Sequence, residues 1–375
     1  MNNFFSITDV DDKFKSLNIF NIKIAIKKEY YKLFFKHKIR ENSILIIEIN
    51  SGHGETIPSF INYFQKLNYN VDIIVNYDMV RDKILNKFCF NNINLFYMTF
   101  DEINKILENN IINKYKYLFF NSLGFYKGNK VTHIFEINNK INMPIEKIVG
   151  VEHSIIDDNL KLCKENTITL LPNSSKCKYA NPHYFGEIKS KNKNKDIIKF
   201  ILTGREVHSA KNIDLLINAI RNIIKSGINN FKLILTGRVS GLNINIDDIK
   251  SHVEFTGYLD YVSLYNMVEE SDFILPMLDP NIESHKRFFE DVSGSFQLVY
   301  GFGIIPIVHK AFSNRYGLDN SNSLIYNNDD EFVENLKYAI GMSDEEYQNK
   351  VKNIFIYSNK LYQESLENLK SILKN

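Results

Sequence analysis

The feature that most constrains the fold of this chain is an alternation of short apolar runs with segments of helical spacing, repeated in two series. The first series begins at 43–49 (SILIIEI), where a continuous apolar run leads into a glycine-containing turn and a helical segment at 57–67. Further apolar runs of strand length lie at 71–75, 94–98, 117–121, 148–151 and 167–171, and then at 197–202, 231–235, 253–255, 273–276, 304–308 and 323–326. This alternation predicts parallel sheets in an α/β fold.

A polar, lysine-rich segment, GEIKSKNKNKD, separates the two series and has no hydrophobic periodicity. Such a composition is typical of a linker, and it predicts two Rossmann-like domains that face a central cleft. The predicted units are a first domain at 1–186 with a helical extension at 1–40, a linker at 187–196, a second domain at 197–345, and a C-terminal helix at 346–375 long enough to return to the first domain. Clefts between domains are favoured sites for small ligands.

The composition is that of a globular protein and excludes several functional classes. Of 375 residues, 44% are hydrophobic and 24% are charged, and the net charge of +2 gives no basis for binding nucleic acid. The three cysteines have no metal-ligand spacing and cannot all pair, so we expect a reducing, cytoplasmic location. We find no secretory signal pattern, and no uncharged apolar run reaches the roughly 20 residues that span a bilayer.

The stretch 272–309 has the order of elements that an anion-binding site requires. An apolar run of strand length is followed by a loop of small residues, Ser293-Gly294-Ser295, a helical segment that ends at Gly303, and another apolar run. The N–H groups at a helix start have no partner within the helix, and the positive end of the helix dipole favours a phosphate there.

This stretch resembles the donor-binding half of GT-B nucleotide-sugar glycosyltransferases, in which a loop and helix before a G-x-P strand hold the nucleotide diphosphate. Here Gly303-Ile304-Ile305-Pro306 follows the loop with one residue more than the usual spacing. Gly204-Arg205 and Lys211 are similar to the G-R…K-N element of the same family, although Lys211 lies one residue further along. Arginine offers phosphate a fork of donors, and lysine offers a point charge.

The resemblance also implies contacts to the nucleoside. Phe255-Thr256-Gly257-Tyr258 is similar to the F-x-G segment that flanks the base, and Tyr258 is placed to stack on it. The E-x7-E motif of many retaining relatives is absent, because Glu283 and Glu290 both precede the serine loop. Aligned on Gly303, the position of the second glutamate falls near Gln297 or Leu298, and Gln297 is our candidate for the ribose contact. The implied donor-binding residues are Gly204, Arg205, Lys211, Gly237, Gly257, Tyr258, Arg287, Ser293, Gly294, Ser295 and Gln297.

Polar residues at strand ends of the first series are candidates for activating an acceptor. His53 and Glu55 lie on the turn after the first apolar run, and Glu152 and His153 follow the run at 148–151. Ligands of doubly wound sheets bind beyond the carboxyl ends of the strands, so we expect these residues to face the cleft. An inverting transferase needs a general base near the acceptor hydroxyl, and our candidates are His53, Glu55 and His153. A loop histidine more often has a structural role, and that interpretation stays open.

These features predict a metal-independent glycosyltransferase of the hexosyltransferase type, with the nucleotide-sugar as co-substrate and no other cofactor. The expected acceptor is a hydroxyl of a glycan or lipid-linked precursor in surface-glycan biosynthesis. Three alternatives of the same fold remain: a nucleotide-sugar 2-epimerase, a glycerophosphotransferase, and a non-catalytic partner subunit. A predicted helix at 22–35 combines lysines with aromatic residues, which suits packing or a peripheral contact with the inner face of a membrane.

Overall fold

The computed structural model describes residues 5–9, 14–19, 22–27, 29–127, 130–136, 140–153, 166–172, 177–189, 191–194, 196–204, 211–237 and 245–373. Its strands are β1 (Phe5–Asp9), β2 (Phe14–Ile19), β3 (Ile22–Lys27), β4 (Ser43–Glu48), β5 (Asn70–Asn76), β6 (Ile93–Met98), β7 (Tyr117–Phe120), β8 (Gly124–Lys127), β9 (Lys130–His133), β10 (Ile148–Val151), β11 (Thr167–Thr169), β12 (Lys178–Tyr179), β13 (Ile198–Leu202), β14 (Phe231–Thr236), β15 (Val253–Gly257), β16 (Phe273–Ile274), β17 (Ile305–His309) and β18 (Leu324–Tyr326).

The α-helices of the described ranges are α1 (Tyr30–Lys36), α2 (Ile57–Lys66), α3 (Phe100–Leu107), α4 (Ile213–Lys225), α5 (Tyr261–Glu270), α6 (Glu283–Lys286), α7 (Gly294–Phe302), α8 (Lys310–Ser313), α9 (Asp329–Gly341) and α10 (Asp344–Ile372). Short 3-10 turns lie at Gly54–Thr56, Tyr77–Asp82, Asn110–Lys114, Ile134–Glu136, Ile145–Lys147, Arg287–Phe289 and Asn314–Tyr316.

Two parallel sheets organise the described part of the chain. The first has seven strands in the order β12-β11-β10-β7-β4-β5-β6, and the second has six in the order β15-β14-β13-β16-β17-β18. The second order is that of a doubly wound Rossmann sheet. Every residue of the central strand β4 is buried, which explains why its sequence is a continuous apolar run instead of an alternating one. We call the first sheet with its helices the first unit and the second sheet with its helices the second unit.

The long helix α10 packs against both units. Tyr347, Val351 and Leu361 belong to the hydrophobic core of the second unit, whereas Leu369 and Ile372 belong to a core of the first. Side-chain hydrogen bonds add to this packing, because the Asn181 N–H donates to Ser365 Oγ at 2.9 Å. Helix α10 therefore connects the two units by burying apolar surface on each.

The sequence prediction of a helix over 22–35 is wrong for its first half. Residues 22–27 form strand β3, which pairs antiparallel with β2, which in turn pairs antiparallel with β1. Only Tyr30–Lys36 is helical, so the predicted helical extension at 1–40 is also wrong where the structure describes β1, β2 and β3. The segment IKIAIK alternates with a period of two, which is the period of a strand. Over the longer window 22–35, the apolar residues also fit helical spacing, and the prediction followed that longer pattern.

The predicted linker contains two lysines that are bound, not solvated. Lys191 is only 6% exposed, and its Nζ donates to the carbonyl oxygens of Val268 and Glu269 at the C-terminal end of α5. Lys193 Nζ donates to the Ile340 carbonyl at the end of α9. The last carbonyls of a helix lack partners within the helix, and both lysines satisfy such groups.

Two further observations bear on the sequence expectations. Within the described ranges, no helix has the length and apolar character needed to span a lipid bilayer. Cys89 is an exposed free thiol. Cys177 takes part in a disulfide, which the sequence analysis did not predict.

Candidate active site

The polar residues at the strand ends of the first unit lie where the two units meet. Two side chains of the second unit mark this boundary. Tyr261, at the start of α5, and Val292, before α7, each pack against the hydrophobic cores of both units. The N-terminus of α5 therefore lies beside the turn that follows β4, where the Tyr261 hydroxyl donates to Glu55. The residue just before α7 contacts the core of the first unit.

The turn after β4 places His53 and Glu55 side by side. His53 has a φ of 63°, a left-handed conformation that is uncommon for a residue with a side chain. Its Nδ1 lies 3.8 Å from Oε1 of Glu55, and its ring lies against the ring of His153 with the centroids 4.1 Å apart. The structure thus brings together the three residues that the sequence suggested for catalysis.

Glu55 is held as a carboxylate. Burial raises its pKa, but the hydrogen bond and positive charge of His53, together with the hydrogen bond from Tyr261, outweigh burial and lower the pKa to about 2. At neutral pH the Glu55 carboxylate is therefore charged, and it can stabilise the protonated form of His53.

His153 is held neutral in one tautomer. Its Nε2 lies 2.8 Å from the carbonyl oxygen of Asn121, and a carbonyl only accepts, so the proton is assigned to Nε2 and Nδ1 carries none. Burial, then the positive charge of His53, lowers the pKa of His153 to about 3. A group with so low a pKa is a weak base at neutral pH, which leaves the half-exposed His53 as the better candidate.

Sequence reasoning missed Glu48, the last residue of β4. Its buried carboxylate accepts hydrogen bonds from the Asn50 N–H at 2.8 Å, from Asn121 Nδ2 at 2.7 Å and from Ser122 Oγ at 2.6 Å. Burial raises the pKa of Glu48. Asn121 and Ser122 are also the residues that contact His153, so Glu48 fixes the loop that orients this ring. A carboxylate inside the apolar run SILIIEI was the signal that could have revealed it.

Glu152 has a different partner from the histidine pair. Its Oε2 lies 3.2 Å from Nε2 of His133, and both side chains are largely buried. The structure therefore pairs this strand-end carboxylate with the β8–β9 hairpin.

Lys211 is a buried cation two residues before the start of α4. Its Nζ donates to the Pro276 carbonyl at 2.7 Å and lies 3.3 Å from Ser295 Oγ, which is also 3.3 Å from Thr203 Oγ1. Burial lowers the pKa of Lys211 to about 8. Within the described residues no carboxylate forms an ion pair with it, and a buried charge without a partner is costly. An anionic ligand would remove that cost.

The predicted serine loop forms the N-terminus of α7. Ser293 precedes the helix with an extended backbone, and its side chain makes no capping hydrogen bond. Ser295 is buried and contacts Lys211, whereas Gly294 is exposed, and a Cβ added to it would meet nothing within 4 Å. A helix N-terminus, a lysine and open space beside a glycine are thus found together.

Gln297 lies one turn into α7 with an unsatisfied side chain. It is only 3% exposed, and neither its Nε2 nor its Oε1 has a hydrogen-bond partner in the part of the chain that the structure describes. A buried amide without partners is expensive, so a polar ligand group is expected to satisfy it.

The glycines predicted on the donor side occupy strand ends of the second sheet. Gly204 lies two residues after the end of β13, and Gly237 follows β14 with its N–H donating to the Gly257 carbonyl at 2.9 Å. Gly257 ends β15 with a φ of 67° and open space at its Cβ position. Arg205 lies outside the described residues.

Tyr258 and Arg287 have positions that the sequence did not specify. The Tyr258 hydroxyl donates to Asp82 of the first unit, and the Arg81 guanidinium lies 5.4 Å from the centroid of its ring. Tyr258 therefore bridges the two units, and base stacking on its ring stays a prediction. Arg287 is exposed on the turn after α6, above the ring of its neighbour Phe288.

A cavity of about 370 Å³ opens at the carboxyl ends of β17 and β18. It is lined by Leu215, Asp279, Asn281, His309, Tyr326, Asn327, Asn328, Asp329 and Asp330. None of the sequence-predicted site residues lines this cavity. In the described ranges, no group of three or more histidine, cysteine, aspartate or glutamate side chains is arranged to hold a metal ion.

No protein-family model and no curated protein sequence matches this chain. Solved structures match its fold. A glycosyltransferase from Rickettsia africae has a TM-score of 0.58 and 12% identity, covering 90% of this chain and 98% of that protein. An α-glucosyltransferase solved with UDP and a 13-mer DNA containing an A:G mismatch has a TM-score of 0.57 and 12% identity, covering 89% of this chain and all of that protein.

AviGT4, a glycosyltransferase involved in avilamycin A biosynthesis, is also similar, with a TM-score of 0.57 and 10% identity over 89% of this chain and 98% of that protein. At these identities the likeness shows the fold. Together with the two parallel sheets, it confirms the predicted GT-B architecture of two Rossmann-like units.

Proposed function

We propose that the protein is a glycosyltransferase that moves a sugar from a nucleotide-diphosphate-sugar to a hydroxyl acceptor. One observation carries the proposal. In the second unit, a buried lysine without a carboxylate partner among the described residues lies at a helix N-terminus, and the residue before that helix packs against both cores. In the first unit, a histidine–carboxylate pair contacts the second unit through Tyr261. The first set suits an anionic leaving group, and the second suits an acceptor hydroxyl.

The donor diphosphate is proposed to bind at Lys211, Ser295 and the N-terminus of α7. Its charge would compensate the buried ammonium of Lys211, and its oxygens would accept from the first N–H groups of the helix. Positive charge at this place also stabilises the diphosphate as it leaves, which is why we propose a metal-independent reaction. Gln297 would satisfy its amide on the ribose. Two structures of similar fold were solved in complex with UDP.

His53 is proposed as the general base. The acceptor hydroxyl would attack the anomeric carbon and give its proton to His53 while the bond from that carbon to the phosphate oxygen breaks. The bonding electrons leave with the nucleotide diphosphate, and the Glu55 carboxylate stabilises the imidazolium that forms. We propose a glycan or lipid-linked precursor as the acceptor.

The test is to incubate the protein with UDP-, GDP-, ADP- and CDP-sugars in the presence of a chelator, and to measure nucleotide binding by calorimetry. We expect binding of one nucleotide and release of free sugar or transfer to a glycan acceptor. Lys211→Met should bind the nucleotide only weakly, whereas His53→Gln should retain binding and lose transfer. If no nucleotide binds and no sugar is released, the proposal is wrong. If the product is an epimer of the donor sugar, the protein is an epimerase and not a transferase.

A further inference from the structure

A hydrogen bond between the two units reaches the candidate catalytic pair. The hydroxyl of Tyr261, in the first turn of α5, donates to Oε2 of Glu55 at 2.8 Å. The other carboxylate oxygen, Oε1, lies 3.8 Å from Nδ1 of His53. The two oxygens of Glu55 are thus divided between a residue of the second unit and the proposed base of the first.

Local packing fixes Tyr261 in this place. Asp260 caps α5 by accepting from the Ser263 N–H at 2.9 Å, which sets the direction of the first turn. The ring of Tyr261 is so close to the catalytic turn that a Cβ on Gly54 would lie 3.4 Å from it. On its other side the ring stacks on Tyr265 with the centroids 5.6 Å apart. The hydroxyl therefore has little freedom to leave Glu55 while the units remain in contact.

We propose that Tyr261 is a positioning residue, which orients the Glu55 carboxylate toward His53 and so makes the base competent only when the two units are in contact. This inference rests on the proposed function. The physical reason is that a carboxylate with one oxygen fixed by a hydroxyl cannot rotate its other oxygen away from the imidazole. Hydrolysis of the donor by water would be suppressed while the units are apart.

A purely mechanical role is the alternative, because other contacts also join the units near this place. Lys83 Nζ, on the first unit, lies 2.8 Å from Asp260 Oδ2, one residue before Tyr261. If Tyr261 merely holds the units together, removing Lys83 should have the same consequence as removing the Tyr261 hydroxyl. The chain thus offers a matched control.

Tyr265 offers a second control. It lies one turn further along α5, it is buried, and its hydroxyl has no hydrogen-bond partner among the described residues. Replacing Tyr265 by Phe removes the same atom from the same helix without touching Glu55.

The experiment compares Tyr261→Phe, Tyr265→Phe and Lys83→Ala in steady-state sugar transfer. The donor is the nucleotide-sugar that the parent protein uses in the screen of UDP-, GDP-, ADP- and CDP-sugars. We expect Tyr261→Phe to lower kcat roughly ten- to a hundredfold, the range for losing one hydrogen bond to a charged group, with donor KM and nucleotide Kd unchanged. The two controls should keep kcat within about threefold of the parent. In a Glu55→Ala background, the further loss from Tyr261→Phe should be small, because the two residues act through one contact.

Each outcome decides the question. An unchanged kcat in Tyr261→Phe, or an equal fall in Lys83→Ala, overturns the positioning role while leaving the proposed function intact. A parent protein that neither binds a nucleotide nor transfers a sugar overturns the proposed function itself. If the Glu55→Ala background is too slow to measure, the comparison of kcat with KM across the three single variants decides.

Discussion

At the scale of single residues, the candidate site depends on polar groups placed where burial makes them costly unless a ligand binds. Lys211 and Gln297 are both more than nine-tenths buried, the first without an anionic partner and the second without any hydrogen bond among the described residues. Binding sites are where such unsatisfied groups persist. A nucleotide diphosphate supplies an anion for the first and hydroxyl groups for the second.

Gly294 is predicted to matter for nucleotide binding more than Ser295. Gly294→Val places a branched side chain in the open space where phosphate oxygens would approach the helix N-terminus, and the protein should stay folded because nothing in the structure contacts that space. Ser295→Ala removes one hydroxyl and should weaken binding by roughly ten- to a hundredfold at most. Calorimetric titration with the bound nucleotide compares them. If the folded Gly294→Val protein binds the nucleotide as tightly as the parent, the loop does not bind phosphate and only begins the helix.

Nucleotide affinity is predicted to fall as the pH rises through about 8, because burial lowers the pKa of Lys211 to about 8. Above that pH the free protein has lost the ammonium proton and must take one up to bind a phosphate, so affinity should fall by about tenfold per pH unit. Titrations at pH 7.5 and 9.5 measure this. Lys211→Met should bind weakly at both values. A parent affinity that does not change across this range contradicts the assignment.

At the scale of elements, a buried charge network attaches the segment that follows α1 to the first sheet. Asp72, on β5, is fully buried, and its carboxylate lies 3.0 Å from His37 Nε2 and 3.1 Å from an Arg40 nitrogen. It also accepts from Tyr115 at 2.8 Å and from Asn94 at 2.7 Å. The segment that follows α1 is therefore held by charged hydrogen bonds, while the ring of Phe34 packs into the core beside them.

Asp72→Ala is predicted to destabilise the protein by about 3–5 kcal/mol, because it leaves Arg40 beside a buried site without its anion. Denaturant unfolding followed by circular dichroism measures the change. Glu41→Gln, at an exposed position next to the same segment, should stay within about 0.5 kcal/mol of the parent. A loss below about 1 kcal/mol for Asp72→Ala would mean that solvent replaces the network.

At the scale of the whole molecule, α10 joins two units that have separate cores. Its first part is buried in the second unit, and its last turns are buried in the first. Close contacts at the cleft, including the Lys83–Asp260 pair and the Tyr261–Glu55 hydrogen bond, connect the same two units at another place. The relative position of the units therefore depends on both regions.

Removing residues 365–375 is predicted to destabilise the first unit selectively. The deletion removes Leu369, Ile372 and Leu373 from the first core, whereas Tyr347, Val351 and Leu361 remain in the second. Each buried leucine or isoleucine contributes on the order of 2–5 kcal/mol. Differential scanning calorimetry should show a new low-temperature transition and a second one near that of the parent. A single transition at the parent temperature would show that the last turns of α10 contribute little.

Local patterns in the sequence were enough for most of the architecture. Because β4 is buried along its whole length, its sequence at 43–49 is a continuous apolar run, and such a run predicts a buried strand. A turn directly after a strand of a parallel sheet must lie at the carboxyl edge of that sheet. His53 and Glu55 could therefore be placed from the sequence. The strand β3 was missed because a segment of six alternating residues beside a helix gives two competing periods.

Tertiary structure alone decided which residues contact one another. Tyr261 and Glu55 are 206 residues apart, and nothing near either of them in the chain indicates the hydrogen bond between them. The contact of Lys211 with Ser295, across 84 residues, and the buried amide of Gln297 are similar cases. The period of apolar residues in the sequence shows which face of a helix or strand packs against the core, because buried positions repeat regularly along a single element. Contacts between elements depend on how separate elements pack, and that is set by the whole chain at once.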